Sequence, residues 1–535
     1  MNKKNTFILL IVFVLIGLFL RSYNFSQWLR FNADQSRDAR IAINAAEGKT
    51  SWPLLGPMAG GTDFKLGGIF YHFQIVAVKI FGNQPYVAAF PDLLFAVLSI
   101  PLFFLLARIF FNVNVSLGIT WLYVISYFMV KYGRFAWNPN STPFFVMLYL
   151  YSFYGMMNEG KNKQVWWAIL CGVALGINVQ LHTSLLIILP VISVLVLALL
   201  YDRKYVKIGT IAIVLAAAAI VNIPQIKSEI ETRGANTTKF FLGATEKNVR
   251  NASLGENALL NLSCHLKSNA HILTAKGDED VCDYNADAKI VSKLDGKRMT
   301  FAQKFSFVFA WILLAVFSLG GYFLLGRLAL REQDKKKKLM LIVLSLYVGI
   351  SFLLFCTWAT ELSVRFFLGL SFVPFLLLGL WLTFLAEKFK REKVFIVIAI
   401  LMLSFFNWQK IYGTFEDLEN GGKEINGNFD YATLGEENFI MKFMLENSEG
   451  EKTLYLDAQA GYLFKMLRPL QFLGEKHGLT LVQMEKEVSL KKGARIFYLK
   501  SADTGCKLAE KILDKYEVEK CSERGQFSVF SLKLK

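Results

Sequence analysis

Two carboxylates and two guanidiniums fall within the ten residues "FNADQSRDAR" (31–40), directly behind an apolar N-terminal segment. In a helix, Asp34, Arg37 and Asp38 stand at positions i, i+3 and i+4 and therefore share one face. A carboxylate can take the proton of a hydroxyl nucleophile, and a guanidinium can hold a phosphate. The alternative is a solvated ion-pair cluster on the surface of a helix, which contributes little to the stability of the fold. Ionisable residues pressed against a bilayer are functional candidates, so both interpretations stand at this point.

The chain that must position these residues has the composition of a polytopic membrane protein. It has 535 residues, is 54% hydrophobic and has a mean hydropathy of +0.39. Its apolar residues fall in long runs, and about 20 apolar residues in a helix cross the hydrocarbon core. We predict eleven spans, near 6–22, 87–110, 114–131, 142–157, 165–181, 184–200, 208–224, 306–327, 339–357, 366–386 and 394–411.

Basic connectors predict the orientation of these spans. The net charge of +17 is concentrated in short connectors such as "DRKYVK" (202–207) and "REQDKKKK" (331–338). This is the positive-inside pattern, and no basic patch interleaved with aromatic residues suggests nucleic acid. The first helix reads as uncleaved, because no small-x-small site follows it. Regions 23–86, 132–141, 225–305 and the tail after 412 are then expected outside, and 66–82 as an interfacial helix.

The tail differs in composition from the rest of the chain. Residues 413–535 are charged and broken by Gly, with strand-like "KTLYLDA", "ARIFYLK" and "QFSVFSLKLK" and a helix-like "GCKLAEKILDKY". We predict a transmembrane module at 1–412 and a small extracytoplasmic α/β domain at 413–535. Four of the six cysteines form two neighbouring pairs, Cys264 with Cys282 and Cys506 with Cys521. Both pairs lie in regions assigned outside, where disulfides persist.

A resemblance to a known family follows from motifs spread along the chain. The loop order "DQSRDA", "LLGP", "LGGIFYHF" resembles the first outer loop of GT-C membrane glycosyltransferases. The similar group is glycosyltransferase family 39, with the aminoarabinose transferase and the protein O-mannosyltransferases. "RFAWNPNSTPFF" (134–145), "NVQLHTSLLIILP" (178–190) and "VRFFLGLSFVPFLLLG" (364–379) also match this group. The chain departs from its pattern at Gln35, Gly68 and His72, where many members carry an acid, Pro and Tyr.

The resemblance implies transfer of a sugar from a polyprenyl-phosphate donor to a hydroxyl of a protein, glycolipid or cell-wall glycan. Asp34 would be the catalytic base, with Asp38 as the second candidate. A phosphate leaving group needs cations beside it. The candidates are Arg37, Lys65 and Arg365. Substrate contacts are expected from Tyr71, His72, Asn138 and His182, although Asn138 can simply shape a turn and His182 can be a hydrogen-bonded structural histidine.

Other functions and cofactors are weighed on the same residues. A transporter or flippase for lipid-linked sugars would favour internal repeats and charged or broken spans, whereas here the charges gather in one outer loop. A scaffold with an outer binding domain is the third reading. No clustered His or Cys spacing suggests zinc, and a divalent metal at Asp34 and Asp38 is left open, because two acids are few ligands. The expected location is the inner or plasma membrane, with membrane lipids as neighbours and the active site outside.

Overall fold

Long apolar helices dominate the first 420 residues of the chain, and a mixed sheet with helices follows from residue 432. The computed structural model describes residues 2–60, 62–158, 160–246, 253–277, 282, 301–357, 362–420, 432–459, 461–484 and 494–535. The predicted fold class, a helical membrane protein with a small C-terminal α/β domain, is confirmed.

The membrane part is built mainly of helices. The described ones are α1 (Lys3–Ser22), α2 (Phe25–Trp28), α3 (Ala33–Ala46), α4 (Ile69–Phe81), α5 (Phe90–Phe110), α6 (Val113–Ile125), α7 (Tyr127–Tyr132), α8 (Thr142–Asn158), α9 (Lys161–Leu181), α10 (Thr183–Asp202), α11 (Ile208–Val221), α12 (Ile223–Glu231), α13 (Ala235–Glu246), α14 (Leu254–Thr274), α15 (Phe301–Arg331), α16 (Lys335–Thr357), α17 (Val373–Phe389) and α18 (Glu392–Glu419).

Among the described residues, seven helices are long and apolar enough to cross a membrane. The number rises to nine if two bent pairs count as one span each: α11 with α12, bent by 64°, and the 3-10 helix Val364–Leu370 with α17, bent by 58°. Pro224 and Pro374 stand in the first turn of the second helix of each pair, where a missing amide hydrogen is tolerated. The chain is a multi-pass membrane protein. The number eleven stays a prediction, because α6 has 13 residues and α8 has 17.

The loop 23–86 is folded into helices and a hairpin. Helix α3 begins at a capping box, in which the Asn32 amide donates to Gln35 Oε1 at 3.1 Å, so the predicted helix through Asp34, Arg37 and Asp38 is confirmed. Strands β1 (Leu55–Met58) and β2 (Lys65–Gly67) pair antiparallel. Helix α4 has 13 residues, which is shorter than a span and agrees with the preference for an interfacial helix.

The described parts of the region 225–305 contain further helices, which include α13 and α14. Within α14, Asn261 donates to the Phe352 carbonyl at 2.8 Å and Asn269 donates to Ser318 Oγ at 3.1 Å, so this helix packs on α15 and α16. The disulfide Cys264–Cys282 forms, with 4.7 Å between Cα atoms, and Cys506–Cys521 forms at 5.9 Å. Both predicted cysteine pairs are confirmed.

The C-terminal domain has a five-stranded sheet in the order β4-β3-β5-β7-β6, parallel among β4, β3 and β5 and antiparallel beyond. The three predicted strands are confirmed. The predicted helix at 505–516 is wrong except for its middle four residues, because the chain there is tied by the second disulfide and enters β6. Helix α18 continues beyond the predicted boundary at residue 412 and ends at Glu419, and the division into two domains stays a prediction. The described elements are α19 (Leu434–Glu446), β3 (Thr453–Ala458), α20 (Tyr462–Lys476), β4 (Thr480–Gln483), β5 (Arg495–Ser501), α21 (Glu510–Leu513), β6 (Tyr516–Arg524) and β7 (Phe527–Leu534).

The C-terminal domain docks directly on the start of α3. The Phe31 amide donates to the Ala432 carbonyl at 3.1 Å, and the Leu434 amide donates to the Leu29 carbonyl at 2.8 Å. The buried Phe31 ring lies 5.9 Å from the ring of Phe472 on α20. The helix that carries the acidic cluster is therefore held by both parts of the chain.

Candidate active site

A cavity of about 220 Å³ opens where the first-loop helix, the hairpin and the ends of several spans meet. Its wall combines one carboxylate, two guanidiniums, an imidazole, an amide and several aromatic rings. The lining side chains include Asp34, Arg37, Trp137, Asn138, His182, Arg365 and Phe366.

The acidic cluster of α3 forms a connected network at one side of this cavity. Arg37 donates through Nη1 to Asp34 Oδ1 and through Nε to Asp38 Oδ1, both at 2.8 Å. The Tyr71 hydroxyl donates to the same Asp38 oxygen at 2.9 Å. The side chain of Asp34 is 60% exposed, whereas that of Asp38 is 3% exposed. Asp34 therefore faces the cavity, and Asp38 holds Arg37 from behind.

The environment of Asp38 gives it an unusual titration. Burial raises the pKa of Asp38 to about 6, although Arg37 and the Tyr71 hydroxyl both act to lower it. The carboxylate is thus ionised at neutral pH and gains a proton in mild acid. Its protonation would remove a charged partner of Arg37.

Arg365, on the 3-10 helix Val364–Leu370, also lines the cavity. Its guanidinium stacks against the Phe366 ring, with 5.4 Å from Cζ to the ring centre. In the part of the chain that the structure describes, Arg365 has no carboxylate within ion-pair distance, unlike Arg37. A guanidinium that lines a cavity is suited to hold an anionic ligand.

His182 forms the joint between α9 and α10, beside Arg365. Its Nδ1 is 2.7 Å from Ser184 Oγ, and its ring meets the Phe366 ring edge-on at 5.3 Å. Burial, and then the charge of Arg365, lower the pKa of His182 to about 3, so the imidazole is neutral. A neutral ring beside the guanidinium adds no charge that would compete for the same anion.

The turn at 134–142 forms the third side of the cavity. Asn138 donates through Nδ2 to the Leu181 carbonyl at 2.6 Å, which ties this turn to the end of α9. Gln35 on α3 donates to the Ala136 carbonyl at 3.1 Å. Trp137 and Asn138 of this turn line the cavity.

The structure brings five of the nine predicted site residues to this cavity: Asp34, Arg37, Asn138, His182 and Arg365. Asp38 and Tyr71 lie behind Arg37 and are buried. His72 points elsewhere, since its Nε2 is 2.8 Å from the Pro53 carbonyl and its ring is near Trp52. The roles given to all nine stay predictions.

Lys65 lies at the start of strand β2 and is not among the residues that line the cavity. Successive side chains of a strand point to opposite sides, and Phe64 and Leu66 line the cavity while Lys65 is exposed. The Lys65 backbone is also fixed, because its N–H donates to Asn236 Oδ1 and its carbonyl accepts from Asn236 Nδ2, both at 2.9 Å. Of the three predicted phosphate-binding cations, Arg37 and Arg365 line the cavity and Lys65 does not, and the role of each stays a prediction.

Sequence reasoning missed the aromatic side chains of the cavity. Trp137 and Phe366 are direct neighbours of the predicted Asn138 and Arg365, so their positions alone were a usable signal. Phe240 and Gly243 of α13 also line the cavity. They come from a region expected to be a loop, and the sequence offered no sign that it would reach the site.

The donor atoms of the described residues do not make a divalent-metal centre. Asp34 is the single described carboxylate that lines the cavity, and one of its oxygens accepts from Arg37. A group of Cys506, Cys521 and Glu523 also lies close together. Its two sulfurs form a disulfide, so they offer no thiolate ligands.

Comparison with known proteins gives the relationship of this fold and sequence. Residues 6–224 match the family model described as dolichyl-phosphate-mannose-protein mannosyltransferase. The oligosaccharyltransferase AglB of Archaeoglobus fulgidus, whose structure contains an inhibitory peptide and a dolichol-phosphate, has a similar fold, with a TM-score of 0.51 at 14% identity. The similarity covers 98% of this chain and 74% of the AglB chain. The family match covers the loop of Asp34, and the similarity to AglB shows the fold. The match over residues 6–224 and the fold shared with AglB support the resemblance to GT-C membrane glycosyltransferases.

Two further solved structures resemble this chain. ArnT from Cupriavidus metallidurans, bound to undecaprenyl phosphate, has a TM-score of 0.49 at 11% identity. The similarity covers 99% of this chain and 98% of ArnT. The Archaeoglobus fulgidus oligosaccharyltransferase in its apo form has a TM-score of 0.48 at 14% identity, over 92% of this chain. The chain spans 66% of the length of that archaeal enzyme. No curated protein sequence matches this chain.

Proposed function

We propose that the protein transfers a sugar from a polyprenyl-phosphate-linked donor to an acceptor hydroxyl on the extracytoplasmic face of the inner or plasma membrane. One observation carries this proposal: a single cavity joins the exposed carboxylate of Asp34 to the guanidinium of Arg365, which has no carboxylate partner among the described residues. The first group suits a hydroxyl nucleophile and the second suits a phosphate leaving group. A lipid-phosphate donor also fits the name of the family whose model matches residues 6–224.

The reaction would be a single displacement at the anomeric carbon. Asp34 takes the proton of the acceptor hydroxyl while that oxygen forms a bond to the anomeric carbon. The bond from that carbon to the phosphate oxygen breaks, and the lipid phosphate leaves with the electron pair. Arg365, with Arg37, would stabilise the negative charge that develops on the leaving phosphate. In-line attack inverts the anomeric configuration.

The proposed face follows from the ends of the helices around the cavity. Thr183 at the start of α10 lines the cavity, and the other end of α10 leads into the basic connector 202–207. Basic connectors favour the cytoplasmic side, so the opposite end of the same helix is expected outside. Outside the cytoplasm a sugar donor has to arrive on a lipid, which is the donor class proposed here.

Asp34→Asn tests the catalytic assignment. The variant is expected to turn over about 10²–10⁴ times more slowly while it still binds donor, because general-base loss costs about this factor and Asn is nearly isosteric. The purified variant should retain a polyprenyl-phosphate-linked sugar that mass spectrometry identifies, and that lipid then serves as donor in proteoliposome assays. Asp63→Asn is the matched control, since Asp63 lies in the same loop but does not line the cavity.

Arg365→Ala tests the phosphate site in the same experiment. It is expected to weaken donor binding by about 1.5–3 kcal/mol, the size of a lost hydrogen bond to a charged group. Normal turnover in Asp34→Asn together with a slow Asp38→Asn would reverse the roles of the two acids. If neither change slowed transfer, the α3 cluster would be a solvated ion-pair face. Unchanged donor affinity in Arg365→Ala would remove that residue from the site.

A further inference from the structure

Asp92 is a buried carboxylate that the site described so far does not use. It stands in the first turn of α5, its side chain is 2% exposed, and it does not line the cavity. Among the described residues no cation lies within ion-pair distance of it. Burying a carboxyl group costs free energy unless it is hydrogen-bonded, so its hydrogen-bond partners show what it holds in place.

Both oxygens of Asp92 bind the turn that forms the third side of the cavity. Oδ2 accepts from the Trp137 amide at 3.1 Å, and Oδ1 accepts from Ser141 Oγ at 2.5 Å. These two contacts bracket Trp137, Asn138 and Pro139, which all line the cavity. The carboxylate thus fixes the two ends of the lining segment without touching the cavity itself.

The rest of this turn is fixed from two other elements. Gln35 of α3 holds the Ala136 carbonyl, and Asn138 is bonded to the Leu181 carbonyl next to His182. Without Asp92, however, the Trp137 amide would lose its acceptor inside a buried region. An unsatisfied buried amide is expected to shift the turn, and with it the Trp137 ring and the Asn138 amide.

The two side chains presented by this turn are suited to a sugar ring. Trp137 offers a large flat apolar face with a polar N–H. Asn138 uses Nδ2 toward the Leu181 carbonyl and keeps Oδ1, which can accept from a ligand hydroxyl. This wall lies in the same cavity as Asp34, so the ring it meets is the one whose anomeric carbon reacts.

We propose that Asp92 is a positioning residue that holds Trp137 and Asn138 as the sugar-contacting wall of the donor site. This inference rests on the proposed function, because it needs a sugar carried on a lipid phosphate. It assigns the sugar to the wall of Trp137 and Asn138 and leaves the phosphate to Arg365. Binding of the bare lipid phosphate should therefore not depend on Asp92.

The test compares the binding of dolichyl phosphate with that of dolichyl phosphate bearing mannose, glucose or galactose, using purified full-length protein in micelles. The tightest sugar-bearing lipid for the wild type is carried forward. Asp92→Asn keeps the size of the side chain but loses one of its two acceptors. It is expected to weaken the sugar-bearing lipid about tenfold, the scale of one hydrogen bond, and to leave dolichyl phosphate unchanged. Arg365→Ala should weaken both lipids.

Further variants separate positioning from a general structural effect. Trp137→Ala should show the same selective loss, and the double variant should lose no more than either single one, because both act on one wall. Ser99→Ala is the control, since Ser99 is buried on the same helix and hydrogen-bonded to Tyr123 away from the turn. If Asp92→Asn fails to fold, Ser141→Ala removes one donor and keeps the carboxylate, and it should give a smaller loss in the same direction.

Several results would overturn the inference. Equal weakening of both lipids in Asp92→Asn, or additive losses in the double variant, would leave Asp92 a purely structural role. A wild type that binds no sugar-bearing lipid more tightly than dolichyl phosphate would remove the sugar wall while the phosphate site stands. A wild type that binds none of the lipids would refute the proposed function itself.

Discussion

At the residue scale, two acids four positions apart on one helix differ in what they can do. Asp34 is exposed to the cavity and bonded to Arg37, whereas Asp38 is buried and bonded to both Arg37 and Tyr71. Spacing predicted that the three α3 residues would meet, but it did not distinguish the acids. The difference depends on Tyr71, whose position on α4 follows from tertiary packing. Only Asp34 has the access that a base needs.

The titration of Asp38 predicts a pH limit on turnover. Its pKa of about 6, raised by burial, means that the carboxylate is lost as pH falls through 6, and Arg37 then loses a charged partner. Turnover is expected to fall below about pH 6. Unfolding would not explain this, because the pKa of Asp38 is higher in the folded chain than in the unfolded one, so protonation of this group favours the fold.

The measurement is a pH–rate profile with thermal unfolding followed at each pH. In Asp38→Asn the step near pH 6 should vanish, with a lower rate throughout. If the wild type and Asp38→Asn lost activity over the same pH range, another group would be responsible.

At the element scale, predictability follows how local each signal is. Periodicity and motifs predicted helix α3, the end of α9 and the segment that carries Arg365. Residues from or next to all three line one cavity. The orientation of Lys65 was not predicted, because a three-residue strand is too short to be recognised from the sequence. The part that helix α13 plays in the cavity was not predicted, because it depends on a contact with the hairpin, where the ring centres of Phe240 and Phe64 are 5.1 Å apart. Such contacts leave no local pattern.

The contact between α20 and α3 predicts that the C-terminal domain supports the active site. Phe472→Ala removes a ring that is 3% exposed and packed near Phe31, and it is expected to cost about 3–5 kcal/mol of stability. Turnover should fall as well, since Phe31 leads directly into the helix of Asp34. Thermal unfolding and turnover are measured together on the same preparation.

The matched control lies on the same helix face. Glu475 pairs with Arg40 at 3.0 Å, but its side chain is 57% exposed, so Glu475→Gln is expected to cost about 1 kcal/mol or less. If Phe472→Ala unfolded at a lower temperature with full turnover in its folded state, the domain would stabilise the chain without supporting catalysis.

At the scale of the whole molecule, one topology has to satisfy the charges, the cysteines and the cavity together. The basic residues of 335–338 begin α16, and Thr357 at its other end lines the cavity. The disulfide Cys264–Cys282 links α14 to residue 282. Helix α14 packs on the half of α16 that contains Thr357, because Asn261 donates to the Phe352 carbonyl and to Cys356 Sγ. Oxidised cysteines and the cavity therefore lie at the end away from the lysines, as expected for an outside active site.

This arrangement predicts which positions react with an impermeant thiol reagent in intact cells. The free cysteines Cys171 and Cys356 are buried, so new single cysteines at exposed sites report the side cleanly. Lys335→Cys should be labelled only after the membrane is permeabilised, because its connector is predicted inside. Lys239→Cys on α13, close to the cavity, should be labelled in intact cells and serves as the matched control. Labelling of Lys335→Cys from outside, with Lys239→Cys protected, would invert the topology and place the proposed transfer on the cytoplasmic face. Donors that reach the site from outside would then be ruled out.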